Sequence, residues 1–152
     1  MTMTSETVVT LTEAYAAAHA TAVLAEHPAR GMLHLTGSTR LDLINRMSTQ
    51  AVLGLQSGQG AATVLTTDIG RIIDRIILYA TSDGVYALTG DGHADPLARY
   101  FMRNIFFNDD AQLRDISATT FVFGVYGPRA AELLVVAGFP EVEMPLHHWR
   151  QA

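Results

Sequence analysis

The chain contains no cysteine. That removes disulfides, thiol catalysis and thiolate ligands for zinc or iron–sulfur clusters from these residues. Lysine is absent too, all ten basic side chains being arginines, so a Schiff-base mechanism has no amine to use. A net charge of −5 leaves no basic face large enough for counterion-driven binding to nucleic acid. Long apolar runs are also missing: each is broken by a charge or a glycine well before the roughly 18 residues that suggest a membrane span. The first residues, MTMTSETVV, lack the basic start and apolar run of a secretory leader. The expectation is a soluble, cytoplasmic protein that touches neither nucleic acid nor membrane. What is abundant is apolar content, since 49% of the 152 residues are hydrophobic, enough for one sizeable core.

Thr10 and Glu13 read as a capping box ahead of an alanine-rich helix from Leu11 to Glu26, closed by His27, Pro28 and Gly31. GMLHLTG (31–37) reads as a short strand. Ser38 or Thr39 would cap a second helix through Met47, with Leu41, Ile44 and Met47 on one side. From Ala61 the period changes: AATVLTT, RIIDRIILY and VYALTG are strand-like runs joined by the turn-forming DIG and SDG, which predicts consecutive antiparallel hairpins. Asp95 and Pro96 would open a third helix to about Phe106. QLRDIS and TFVFGVYG add two strands, and PRAAELLVVA a fourth helix closed by Gly138. The class expected is α+β, an antiparallel sheet with a hairpin meander and about four helices.

The segment DIGRIIDRIILY (68–79) places a carboxylate in an apolar strand. Alternation puts Ile72, Asp74, Ile76 and Leu78 on one face, and Ile73, Arg75, Ile77 and Tyr79 on the other. Asp74 therefore cannot pair with Arg75 and needs another partner, because an unpaired buried charge costs several kcal/mol. Two readings follow from the pattern. Either Asp74 is satisfied by a neighbouring loop or an arginine such as Arg40, Arg46 or Arg71, or its aliphatic neighbours Ile72 and Ile76 help wall a ligand pocket.

LHLTGSTRLDLINRMSTQAVLGLQSGQGAATVLTTDIGRIIDRIILY, together with VYGPRAAELL further on, is similar to a folate-binding family. That family includes the aminomethyltransferase of the glycine cleavage system (T-protein, GcvT) and the YgfZ-like proteins. The features follow in the same order from about Tyr15 to Pro140. The resemblance implies the N-terminal portion of a GcvT/YgfZ folate-binding domain, with tetrahydrofolate as cofactor. It implies that Asp74 lines the folate site near the nitrogens that carry the one-carbon unit, which makes it the catalytic candidate as well as a cofactor contact. It places further contacts after the third strand of the meander, where Gly90, Asp91 and His93 are second-rank candidates beside Ile72 and Ile76.

Where the transferases carry a second acid directly after this aspartate, Arg75 stands here. With YFMRNIFFNDDAQLRDIS, this favours the YgfZ-like branch, which binds folate and supports iron–sulfur proteins. The alternatives are a fragment of an aminomethyltransferase and a non-catalytic interaction half-domain. The family's domain continues past the equivalent of Trp149, with a GYTGE-like or KGC-bearing segment and often a β-barrel, and neither segment occurs in this sequence. The expectation is that residues 1–152 form one partial folate-binding domain. Its partner would be folate together with a second copy, as a homodimer, or a second half-domain chain.

The remaining signals are weaker. His147 and His148 are adjacent and point apart, and no His-x-x-x-His pair occurs, so no metal site is expected. TGDGHADP (89–96) could face an anion at a helix start, or simply be a loop with an Asp95 cap. Tyr79, Tyr86 and Tyr100 could stack on a flat ring, though tyrosines at such positions usually serve the core. Leu97, Phe101 and Ile105 read as a core stripe.

Overall fold

The computed structural model describes residues 10–139 and 144–150. In chain order the elements are α1 (Leu11–Ala20), β1 (Val23–Glu26), β2 (Arg30–Thr36), α2 (Arg40–Met47), β3 (Gly60–Thr66), β4 (Ile72–Ala80), β5 (Gly84–Asp91), α3 (Ala94–Arg103), β6 (Gln112–Asp115), a 3-10 turn (Ser117–Thr119), β7 (Phe123–Tyr126) and α4 (Ala130–Val136). The described residues fall into two compact units, 10–27 with 123–139, and 28–122 with 144–150. The class is α+β, as the strand and helix signals predict. Among the described residues no helix is long and apolar enough to cross a membrane.

The larger unit holds a five-stranded antiparallel sheet in the order β3-β4-β5-β2-β6. Strict alternation sends one side chain in two to a single face. Leu33 and Leu35 of β2, Ile76 and Leu78 of β4, and Val85 and Ala87 of β5 are all fully buried. Leu43 and Ile44 of α2 and Leu97 and Phe101 of α3 join them in one core. Burying each large aliphatic or aromatic side chain is worth about 1.5–3 kcal/mol, so the helices are held by this face rather than by propensity. The expected stripe Leu97, Phe101 and Ile105 packs here, Ile105 at the margin.

Several boundaries differ from the sequence expectation. The helix predicted to Glu26 stops at Ala20, because Val23–Glu26 pairs as a strand with Phe123–Tyr126. No residue of α1 is buried, so the alanine run has little packing to oppose that long-range pairing. The capping box does form: the Thr10 N–H donates to Glu13 Oε2 at 2.9 Å and the Glu13 N–H to Thr10 Oγ1 at 3.3 Å. Thr39 stands at the start of α2 without a side-chain cap, while the Ser38 N–H and hydroxyl both donate to Asp110 at 2.8 Å. Helix α3 starts two residues earlier than an Asp95 cap implies, with His93 as its N-cap, and ends at Arg103 rather than near Phe106. Asp95 instead pairs with Arg99 on the helix surface.

The smaller unit contains α1, β1, β7 and α4. Gly127, at φ +128, crosses so close to Thr21 that a Cβ there would lie 2.5 Å from its carbonyl oxygen. His27 Nε2 and the Tyr126 hydroxyl share a 2.8 Å hydrogen bond. No residue of α4 is buried, and Leu133, Leu134, Val135 and Val136 are exposed.

Truncating Phe101 removes the largest fully buried side chain. Phe101→Ala is expected to cost about 3–5 kcal/mol in urea unfolding, whereas Phe107→Ala, at a fully exposed ring, should change stability by less than about 0.5 kcal/mol.

Candidate functional site

Strand β4 lies inside the sheet, between β3 and β5, and carries Asp74 opposite Leu65. The residue is only 8% exposed. Its carboxylate accepts two backbone hydrogen bonds, from the Gly90 N–H to Oδ2 and from the Arg75 N–H to Oδ1, each at 2.8 Å, and His93 Nδ1 lies 3.3 Å from Oδ1. Backbone N–H groups on a carboxylate offset the desolvation that its burial would otherwise cost. Backbone N–H groups of β4 and β5 are therefore the partners of Asp74, and none of the three arginines is. Arg40 donates to Gly37 O at 2.7 Å, Arg46 to Asp109 and Asn104 O, and the exposed Arg71 donates its backbone N–H to Thr67 Oγ1 at 3.0 Å.

The turn from β5 to α3 is shaped around this carboxylate. Gly90 must be glycine in this geometry, since a Cβ would stand 2.7 Å from Asp74 Oδ1. Gly92 takes a left-handed φ of +72 and donates its N–H to Ala29 O at 2.7 Å. The His93 N–H closes the turn on Gly90 O at 3.2 Å. Thus β2, β4, β5 and the start of α3 meet at one point.

Of the residues singled out from sequence, Asp74, Gly90 and His93 come together. Asp91 does not join them: its side chain is 70% exposed and 3.8 Å from Arg30 Nε. Ile72 also stays away, 74% exposed, because a register shift between Leu65 and Thr66 interrupts the alternation just before Asp74. Ile73 packs on the core instead. Ile76 shares the face of Asp74 but is fully buried, so it supports the site from beneath rather than walling a cavity.

A second feature carries almost no local signal in the sequence. The Trp149 indole N–H donates to Ala80 O at 3.0 Å, and its backbone N–H to Gly58 O at 3.1 Å. Its ring meets Tyr79 edge-on at 6.4 Å, and burial pushes the Tyr79 hydroxyl pKa up. A cleft of about 640 Å³ opens beside it, lined by Ser57, Thr81, Asp83, Tyr86 and Trp149 among others. The Tyr86 ring stacks on His34 at 4.5 Å, and the Tyr100 hydroxyl donates to Thr66 O at 3.0 Å. Trp149 thus packs on its own unit, whereas Met144 and Leu146 near it in sequence are exposed; residues 140–143 lie outside the described residues.

An antiparallel α+β sheet with a turn-clasped aspartate on an inner strand defines the class of domain. Residues 5–152 match the family described as GCVT N-terminal domain, and the chain belongs to that family. The fold is similar to that of the glycine cleavage system aminomethyltransferase T from Bartonella henselae, with a TM-score of 0.80 and 18% identity over 90% of this chain and 37% of that one. A chloroplastic Arabidopsis thaliana protein, At1g60990, whose name classes it provisionally as a transferase, is 23% identical over 104 residues, 68% of this chain and 24% of its own length. The chain thus spans about a quarter of that relative and just over a third of the solved one.

The contact between Gly90 and Asp74 predicts non-additive stability effects. Gly90→Ala should cost about 1–3 kcal/mol through overpacking, and Asp74→Ala about 1–3 kcal/mol for each backbone donor left unpaired. Adding Gly90→Ala to Asp74→Ala should cost clearly less than in the wild type, because the clash is with the carboxylate. A double-mutant cycle by urea unfolding measures this, and strict additivity would contradict the geometry.

Proposed function

We propose that this chain is a tetrahydrofolate-binding module in which Asp74 receives N–H groups of the pterin. The observation that carries the reading is the state of that carboxylate. A carboxylate offers about four acceptor positions, and two backbone N–H groups occupy it here with His93 Nδ1 3.3 Å away, so acceptor capacity remains for a ligand. Family membership supplies the ligand class, and the fold places the aspartate on an inner strand at the mouth of a glycine turn. The residues present fit the group: Asp74 holds and orients the pterin, and Gly90 keeps the approach to the carboxylate open. Bound tetrahydrofolate would supply the one-carbon carrier nitrogens.

Arg75, exposed on the strand beside Asp74, favours the YgfZ-like role over aminomethyl transfer. A cation stands where a second carboxylate would assist in handling the amine, so the chain binds folate in support of iron–sulfur proteins and transfers no aminomethyl group alone. The exposed apolar side chains of α4 support association with further polypeptide, either a second half-domain or a second copy of this chain.

Titration calorimetry with 5-formyltetrahydrofolate tests this reading. Wild type should bind, and Asp74→Asn, at a temperature where melts show it fully folded, should bind about 1–3 kcal/mol more weakly, the scale of a charged hydrogen bond. Equal affinities would overturn the assignment.

A further inference from the structure

Strands β2 and β6 lie side by side at one edge of the large sheet, with His34 directly opposite Arg114 and Thr36 directly opposite Gln112. Two residues apart on each strand, the four share a face. Leu33 and Leu35, which alternate with His34 and Thr36, are fully buried in the core with α2 and α3, so this face is the one turned away from those helices. A spacing of about 5 Å across the strands and about 7 Å along them makes a small rectangle of polar side chains. A pocket of about 210 Å³ lies over it, lined by the same four residues and Leu113.

The pocket is rich in donors and holds no negative charge. Arg114 is exposed, and among the described residues its guanidinium has no hydrogen-bond or ion-pair partner. No carboxylate lines the pocket, and Asp115, next to Arg114 in the chain, is held by the Ser117 N–H at 2.9 Å and the Ser117 hydroxyl at 2.6 Å. The His34 ring is fixed in place. It stacks on Tyr86 at 4.5 Å and lies so close over Gly84 that no Cβ would fit there. Its Nε2 is buried yet has no hydrogen-bond partner among the described residues, an unmatched polar atom of the kind that a bound group satisfies.

We propose that this pocket binds a phosphate group. A planar carboxylate meets donors along one edge, whereas a tetrahedral oxyanion presents acceptors in several directions, which suits donors standing at the corners of a rectangle. Arg114 supplies the charge and a two-pronged fork; Gln112, Thr36 and His34 supply the remaining donors. The volume is below the roughly 300–1,000 Å³ of pockets that enclose drug-sized ligands, so the site takes the phosphate and leaves any carrier outside. It lies over β2 and β6 rather than β4, and it does not depend on the folate reading.

Calorimetry with inorganic phosphate at constant ionic strength tests the proposal on wild type, Arg114→Ala, Gln112→Ala and Arg71→Ala, with thermal melts confirming each fold. Wild type should bind one phosphate with a dissociation constant on the order of 1 mM. Arg114→Ala should bind roughly 10-fold or more weakly, the scale of a lost charge-assisted hydrogen bond, and Gln112→Ala several-fold more weakly. Arg71→Ala, which removes an exposed arginine from another part of the chain, should match wild type, and acetate should bind wild type several-fold more weakly than phosphate. Glycerol 3-phosphate distinguishes the two sources of the group: tighter binding than the free ion assigns a phosphorylated small molecule, and equal or weaker binding assigns the ion itself, each in support of the pocket. No binding by wild type, equal loss in Arg71→Ala, acetate binding as tightly as phosphate, or wild-type affinity in both Arg114→Ala and Gln112→Ala overturns it. Where Arg114→Ala does not melt as a folded protein, Gln112→Ala alone decides.

Discussion

One buried carboxylate organises the sheet. Asp74 sits in the apolar interior of β4, and its charge is tolerable there only because Gly90 and Arg75 turn their backbone N–H groups to it. That requirement propagates outward. Position 90 has no room for a Cβ, the following residues must turn sharply enough for His93 to approach, and α3 can then begin at Ala94 with Leu97 and Phe101 directed into the core. A single polar constraint thus sets the junction between strand and helix, while hydrophobic burial supplies the stability on either side of it.

Local patterning made the meander legible. Period-two runs separated by turn residues identify β3, β4 and β5, and the Thr10–Glu13 pair identifies the start of α1, because each signal lies within a few residues of the structure it specifies. What escaped depends on distant partners. Val23–Glu26 reads as helix until β7 is placed beside it, and the anchorage of Trp149 on Gly58 and Ala80 leaves no mark on its neighbours. The site shows the same division. Asp74 announces itself as a charge in a strand, but Ile72 leaves its face through a register shift that no alternation pattern contains, and Asp91 turns towards Arg30 while His93, two residues on, turns inward.

The arrangement also explains how one residue can serve both structure and binding. The two donors on Asp74 are backbone groups of β4 and β5, and they satisfy the fold. Beside them, His93 Nδ1 lies 3.3 Å from Oδ1 on a half-exposed side chain. A carboxylate held in this way is already oriented before a ligand arrives, so little ordering remains to be paid for on binding. Residues 5–152 belong to the GCVT N-terminal domain family, and the ligand proposed for that preorganised acceptor is a folate.

A crystal structure of the chain soaked with 5-formyltetrahydrofolate tests the central claim most directly. The account predicts the pterin donors within hydrogen-bond distance of the Asp74 carboxylate, with the Gly90 and Arg75 contacts retained. Folate bound in the cleft beside Trp149, away from Asp74, would contradict it.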